Sequence, residues 1–198
     1  MVAYNVSVMP PIMPKIVREL DSTMGYIQGA LVLFSLVTAS FSPTAENLCR
    51  FYGRKRVFIA GLITYGIGMT LTALSRDMGS LVVFFSLLTG LAATPLISTP
   101  WAMTDLAFDG EAQEKASLAM ILFSTLGGIS GIMLGGLIAS NLGWRWSFLP
   151  SLLVLLAVLL LRRSVPDTAI LRNVSVDWFG GLLSFLGLGC ILVGIGLS

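Results

Sequence analysis

The 198-residue chain is 56% hydrophobic and 11% charged, carries 21 glycines, and has a mean hydropathy of +0.90. That excludes an ordinary soluble domain, and a formal net charge of +2 indicates no nucleic-acid or polyacid partner. With no histidine and two cysteines, a His-dependent triad, a His-ligated zinc or haem site and an H-E-x-x-H protease are excluded, so no catalytic step, metal or cofactor is implied.

The chain opens on MVAYNVSVMPPIM, residues 1–13, apolar but too short to cross about 30 Å of hydrocarbon. It lacks the basic n-region and small-residue cleavage site of a signal peptide, and reads as the second half of a first membrane helix whose beginning is missing. Six longer apolar runs follow, at approximately 27–45, 57–75, 79–104, 116–140, 146–161 and 178–198, with no Asp, Glu, Lys or Arg well inside them. Asn5 and Gln28 are the amides of the first two runs. Each either anchors a hydrophobic ligand in an apolar cavity or bonds a backbone carbonyl near a proline break. Tyr4, Met9, Phe34 and Trp101 are candidates to line the same cavity, and the alternative for each is core or lipid. Cys49 and Cys190 read as small buried hydrophobes.

Between the second and third spans lies ENLCRFYGRKR, Glu46 to Arg56. Eight of the 12 Lys and Arg residues (Arg50, Arg54, Lys55, Arg56, Lys115, Arg162, Arg163, Arg172) fall on this side of the spans. Lys15, Arg18, Arg76 and Arg145 fall on the other, and the bias places ENLCRFYGRKR in the cytoplasm. Asp105, at the same end of the fourth span, is either a salt-bridge acceptor for Arg54 or Arg50 or a solvated helix end. Further along, Gly127, Gly131, Gly135 and Ala139 recur every four residues, a small-xxx-small ridge that lets another helix approach closely. Trp144 and Trp146 sit at the opposite boundary and read as an aromatic belt.

The short basic loop resembles the signature of the major facilitator superfamily, roughly G-x-L-x-D-x-x-G-R-[KR]. Gly53, Arg54 and Lys55 fall on its G-R-K end and Leu48 on its Leu, whereas Arg50 replaces the Asp and Glu46 the first Gly. NVSVMP (5–10), TGLAAT (89–94), GIMLGG (131–136), GWRWSF (143–148) and VDWFGGLL (176–183) are similar, in order and spacing, to motifs of the fourteen-helix drug:proton antiporter branch. Two positions depart: Ser86 stands where the branch has a membrane-embedded Arg, and Ile132 where it has the Pro of the fifth helix. The resemblance also implies a carboxylate one position upstream of Met1.

The chain therefore reads as an all-α, polytopic transmembrane helical bundle. It comprises a six-helix N-terminal transporter domain (1–161) with an incomplete first helix, a cytoplasmic linker (162–177) and an additional seventh helix (178–198). The resemblance implies translocation of amphiphilic or drug-like small molecules by alternating access in the plasma membrane, with proton coupling in doubt because Ser86 and Ile132 cannot titrate. It also implies a C-terminal half of the same polypeptide, or a partner subunit, to complete the transporter. The alternative is a degenerate, non-transporting membrane binding or regulatory subunit. The expected working parts are a gating loop and charge network (Glu46, Arg50, Gly53, Arg54, Lys55, Arg56, Asp105), a substrate cavity (Asn5, Met9, Gln28, Phe34, Trp101) and a packing ridge (Gly127, Gly131, Gly135, Gly136). Glu46 and Arg50, four residues apart, are expected to pair, leaving Asp105 as the acidic anchor of the loop.

Overall fold

The computed structural model describes residues 1–161 together with Gly180, Leu183, Leu186 and Gly187; the linker, Cys190 and the seventh-helix expectation lie outside the described residues. The structure is all helical through residue 161: α1 (Val2–Glu19), α2 (Met24–Tyr52), α3 (Arg54–Leu74), α4 (Met78–Ala107), α5 (Glu111–Leu142) and α6 (Trp144–Leu160). Among the described residues α2, α3, α4 and α5 are long and apolar enough to cross a bilayer, and α6 is shorter. The joints are tight. Gly53 alone separates α2 from α3 and Gly143 alone separates α5 from α6, at φ of 92° and 101°, where a side chain would be strained.

Two boundaries correct the sequence expectation. First, α1 does not stop at Met13 but runs through Pro10, Pro11 and Pro14 to Glu19. Three prolines remove backbone donors, yet Val8, Met9, Ile12 and Ile16 sit at helical spacing and are fully buried, and that packing face sustains the helix. Second, Glu46–Tyr52 is not a loop but the last two turns of α2. Similarly, Glu111, Glu114 and Lys115 open α5 as helix; carboxylates in a first turn suit the positive end of the helix dipole, and Lys115 pairs with Glu111 at 2.7 Å.

The helices meet through glycine. A Cβ on Gly131 of α5 would stand 2.5 Å from the Tyr4 carbonyl oxygen of α1, and one on Gly135 would stand 3.0 Å from Val8 Cγ2. Gly90 of α4 faces Val37 and the Phe34 carbonyl of α2, Gly61 and Gly68 of α3 face Pro95 and Thr89 of α4, and Gly66 of α3 faces Leu155 of α6. In a bilayer such close approach substitutes for the hydrophobic driving force that lipid does not supply. Gly136 stands beside the ridge, with Pro11 in ordinary contact, and Gly127 at its end is only loosely opposed.

Helix α4 contains a π-helical stretch, Val83–Leu88. The wider turn frees carbonyls from their ordinary partners, and the Thr89 hydroxyl donates to the Phe84 carbonyl at 2.9 Å. Ser86, inside this stretch, donates to the Ala30 carbonyl of α2 at 2.8 Å, and Phe85 stacks on Phe34 with centroids 5.3 Å apart.

Gly131→Ala is expected to lose about 1–3 kcal/mol, because backbone on a second helix cannot yield as a side chain can. Gly127→Ala, whose Cβ would meet its nearest neighbour at 3.9 Å, should change stability by less than about 1 kcal/mol, with any change favourable through helix propensity. Reversible unfolding in mixed micelles reads both; equal effects at the two positions would contradict a backbone-to-backbone seam.

Candidate functional site

Three groups of side chains lie along the bundle axis: a buried polar node, a cavity beside it, and charge clusters at the two ends. The node centres on Asn5, 1% exposed. Its amide nitrogen donates to the Tyr65 hydroxyl of α3 at 2.8 Å and to Ser151 Oγ of α6 at 2.9 Å. Next to it the Tyr4 hydroxyl donates to the Ser147 carbonyl at 3.0 Å, and Ser147 Oγ donates to the Gly135 carbonyl at 3.1 Å. The node thus ties α1, α3, α5 and α6 together.

A cavity of about 680 Å³ lies between α1, α3, α4, α5 and α6. Val6, Leu62, Leu96 and Phe123 give it an apolar wall, and Ser7, Ser124 and Trp101 contribute polar atoms. Its remaining walls come from the first residues of α1, Phe58 near the start of α3, Pro100 near the end of α4 and Val158 near the end of α6. The space therefore lies toward the end of the bundle that carries the basic segment. Of the residues expected to line a cavity, Trp101 does so. Asn5, Met9 and Phe34 do not: they are at most 4% exposed, consumed by helix packing and the node. Gln28 lies on an exposed face of α2, apart from the cavity. The sequence does not mark Ser7, Leu62 or Phe123, because the cavity exists only where five helices converge.

At the basic end, Glu46 Oε1 accepts from Arg54 Nη2 at 3.1 Å and lies 3.4 Å from Arg50 Nε. Helix geometry brings Arg50 one turn past Glu46, and the Gly53 turn folds Arg54 back onto the same carboxylate. The Arg54 side chain is 11% exposed, and its Nη1 is buried without an acceptor. Asp105 is not the anchor expected for this cluster. It accepts from Gln113 Nε2 at 2.9 Å across the α4–α5 turn, because the last turn of α4 points its carboxylate toward α5. Lys55 is half-buried and Arg56 exposed.

The opposite end holds a clamp that sequence reasoning missed. Arg145, at the start of α6, pairs with Glu19 at the end of α1, donates to the Ser75 carbonyl after α3 at 3.1 Å, and places its guanidinium 4.4 Å from the Trp144 ring centroid. Trp144 is not part of an exposed belt: it is 1% exposed and donates its indole N–H to Glu19 at 2.7 Å, while Trp146 remains exposed. Lys15 donates to the Ala139 carbonyl in the last turn of α5, where a cation complements the helix dipole. The one available sequence signal was topological: Glu19 and Ser75 close α1 and α3 and Arg145 opens α6, so all three fall on the same side of the bundle. The hydrogen bond from Arg145 holds the Glu19 carboxyl below its ordinary value, assisted by Trp144 and opposed by partial burial.

A family model described as Major Facilitator Superfamily matches residues 1–197. The chain is 27% identical over 181 residues to "Multidrug resistance protein 3" of Bacillus subtilis, covering 86% of this chain and 35% of that protein. It is 27% identical over 185 residues to a "Multidrug resistance protein B homolog" of Mycobacterium tuberculosis, covering 92% and 34%. It is 26% identical over 170 residues to "Quinolone resistance protein NorB" of Staphylococcus aureus, covering 85% and 36%. The chain spans about a third of the length of these relatives.

Two outcomes follow from the end clusters. Glu46→Ala strands a nearly buried guanidinium and is expected to cost about 1–3 kcal/mol in chemical unfolding, whereas Asp105→Ala should stay within about 0.5 kcal/mol; the reverse ranking would return the anchor role to Asp105. For the clamp, the Glu19 carboxyl is depressed in the folded state, so its stabilisation is present above the ordinary carboxyl value of 4.5 and fades as pH falls through the lowered folded value. Glu19→Gln should therefore lower the unfolding midpoint at neutral pH and flatten its acid limb; an unchanged acid limb would mean that the clamp does not contribute.

Proposed function

The chain belongs to the Major Facilitator Superfamily, and from that premise we propose that it forms the N-terminal helical part of a multi-pass membrane transporter that moves amphiphilic, drug-like small molecules outward by alternating access. The observation that carries the reading is the family match over residues 1–197, on a bundle with four helices long and apolar enough to cross a bilayer among the described residues. The relatives named for multidrug and quinolone resistance support the same substrate class.

In this proposal the Glu46–Arg50–Arg54 cluster is part of a gate on the cytoplasmic side, with Gly53 as its turn and Lys55 and Arg56 as its topological charges. The glycine-seamed helices move as one body. The access change is then a motion of this body against the rest of the polypeptide in the plasma membrane. Among the described residues the carboxylate farthest from a helix end is Glu46, still in the last two turns of α2. The proposal therefore assigns proton coupling to no group in residues 1–161.

A second reading, a binding or regulatory membrane subunit that does not transport, is favoured by one observation. Ser86 replaces the charged residue that the family resemblance leads one to expect, and its hydroxyl is spent on the Ala30 carbonyl. Inverted membrane vesicles carrying the complete reading frame that contains these residues separate the two. Transport predicts accumulation of a fluorescent lipophilic cation that an excess of the unlabelled cation competes away. Saturable binding of the cation with no accumulation, with or without a pH gradient, would establish the subunit instead.

A further inference from the structure

We propose that the basic end carries a binding site for an anionic phospholipid, with an acyl chain in the groove between α2, α3 and α4 and the phosphate on Arg56. The groove, about 410 Å³, is walled by Leu48 and Tyr52 of α2, Val57 and Ala60 of α3, and Leu91 and Pro95 of α4, and Arg56 is among its lining residues. It extends along α3 as far as Thr64, eight residues beyond Arg56 and so about 12 Å deep at the helical rise. Its geometry is that of a slot on the flank of the bundle, apolar at depth and cationic at the mouth. Half-exposed Tyr52 supplies the amphipathic ring that favours the headgroup level.

Charge selects the occupant. Residues 46–56 contain four cations and one carboxylate, a net +3, and that carboxylate is already shared by Arg50 and Arg54. Arg54 Nη1 is buried without an acceptor, and among the described residues Arg56 has no carboxylate within ion-pair distance. A zwitterionic lipid would bring its own cation into this field, whereas a lipid with a net negative headgroup neutralises it. The depth of the slot and its apolar wall require an acyl chain as well, so free phosphate meets only half of the site.

The test is native mass spectrometry of the full chain released from detergent micelles, titrated with phosphatidylglycerol, with phosphatidylcholine of the same acyl chains, and with inorganic phosphate as competitor. Retention of phosphatidylglycerol should exceed that of phosphatidylcholine at least fivefold. Arg56→Gln should reduce retention of the anionic lipid about fivefold, the effect of one cation near a membrane surface, and leave phosphatidylcholine unchanged. Ala60→Phe, an exposed position in the slot, should reduce retention of both lipids without altering the circular dichroism. Equal retention of the two lipids, full displacement by inorganic phosphate, or an equal loss from Lys115→Gln on another part of the same end would each overturn the site.

Discussion

The seam between α1 and α5 is the constraint on which the remaining geometry depends. Gly131 lies so near the Tyr4 carbonyl that no side chain fits between them, and this fixes both the depth and the register at which α1 enters the bundle. Once that register is set, the Tyr4 hydroxyl reaches the Ser147 carbonyl, and Asn5 reaches Tyr65 and Ser151 on two other helices. Displacement of α1 by one residue would rotate Asn5 by about 100° and turn an amide toward apolar neighbours. Glycine contact and polar node therefore enforce the same register, one by exclusion and the other by the two hydrogen bonds of the Asn5 amide nitrogen, although its Oδ1 is buried without a partner.

The same logic accounts for polar residues that sequence motifs single out but chemistry does not use. Ser86 and Thr89 lie in or beside the π-helical stretch of α4, and both bond backbone carbonyls, one on α2 and one released by the wide turn itself. Cys49 on α2 meets Thr99 on α4 at 3.4 Å. Ser86 and Cys49 thus connect helices, whereas Thr89, Thr94 and Ser98 bond carbonyls of their own helix α4. Among residues 1–161 full charges sit toward the helix ends, where water and lipid headgroups can solvate them.

Legibility from sequence followed the range of the interaction. The spans at 57–75 and 79–104 needed only an apolar run, and the ridge at Gly127, Gly131 and Gly135 only a period of four; both are local. The extension of α1 past Met13 was obscured because three prolines and Lys15 break the local pattern, although Ile12 and Ile16 continue its buried face. The continuation of α2 through Glu46 was obscured because charge reads as loop when burial is unknown. The pairing of Glu46 with Arg50 is an i, i+4 relation and visible in advance, whereas the third partner, Arg54, requires knowledge that Gly53 alone makes the turn. Glu19 and Arg145 are 126 residues apart, and no pattern along the chain joins them.

The two ends are not equivalent, and the difference bears on how the bundle could work. At one end Arg145 of α6 is a hub that joins Glu19 of α1 and the Ser75 carbonyl after α3, with Trp144 on the same carboxylate and Lys15 of α1 bonding the Ala139 carbonyl of α5. At the other, the links among the described residues run in adjacent pairs: α2 with α3 through Glu46 and Arg54, and α4 with α5 through Asp105 and Gln113. Links of the second kind hold helices that follow one another in the chain, whereas the Arg145 hub joins helices far apart in sequence. The asymmetry is set by where the charged side chains find partners: across non-adjacent helices at the Glu19 end, and across a single turn of chain at the Glu46 end.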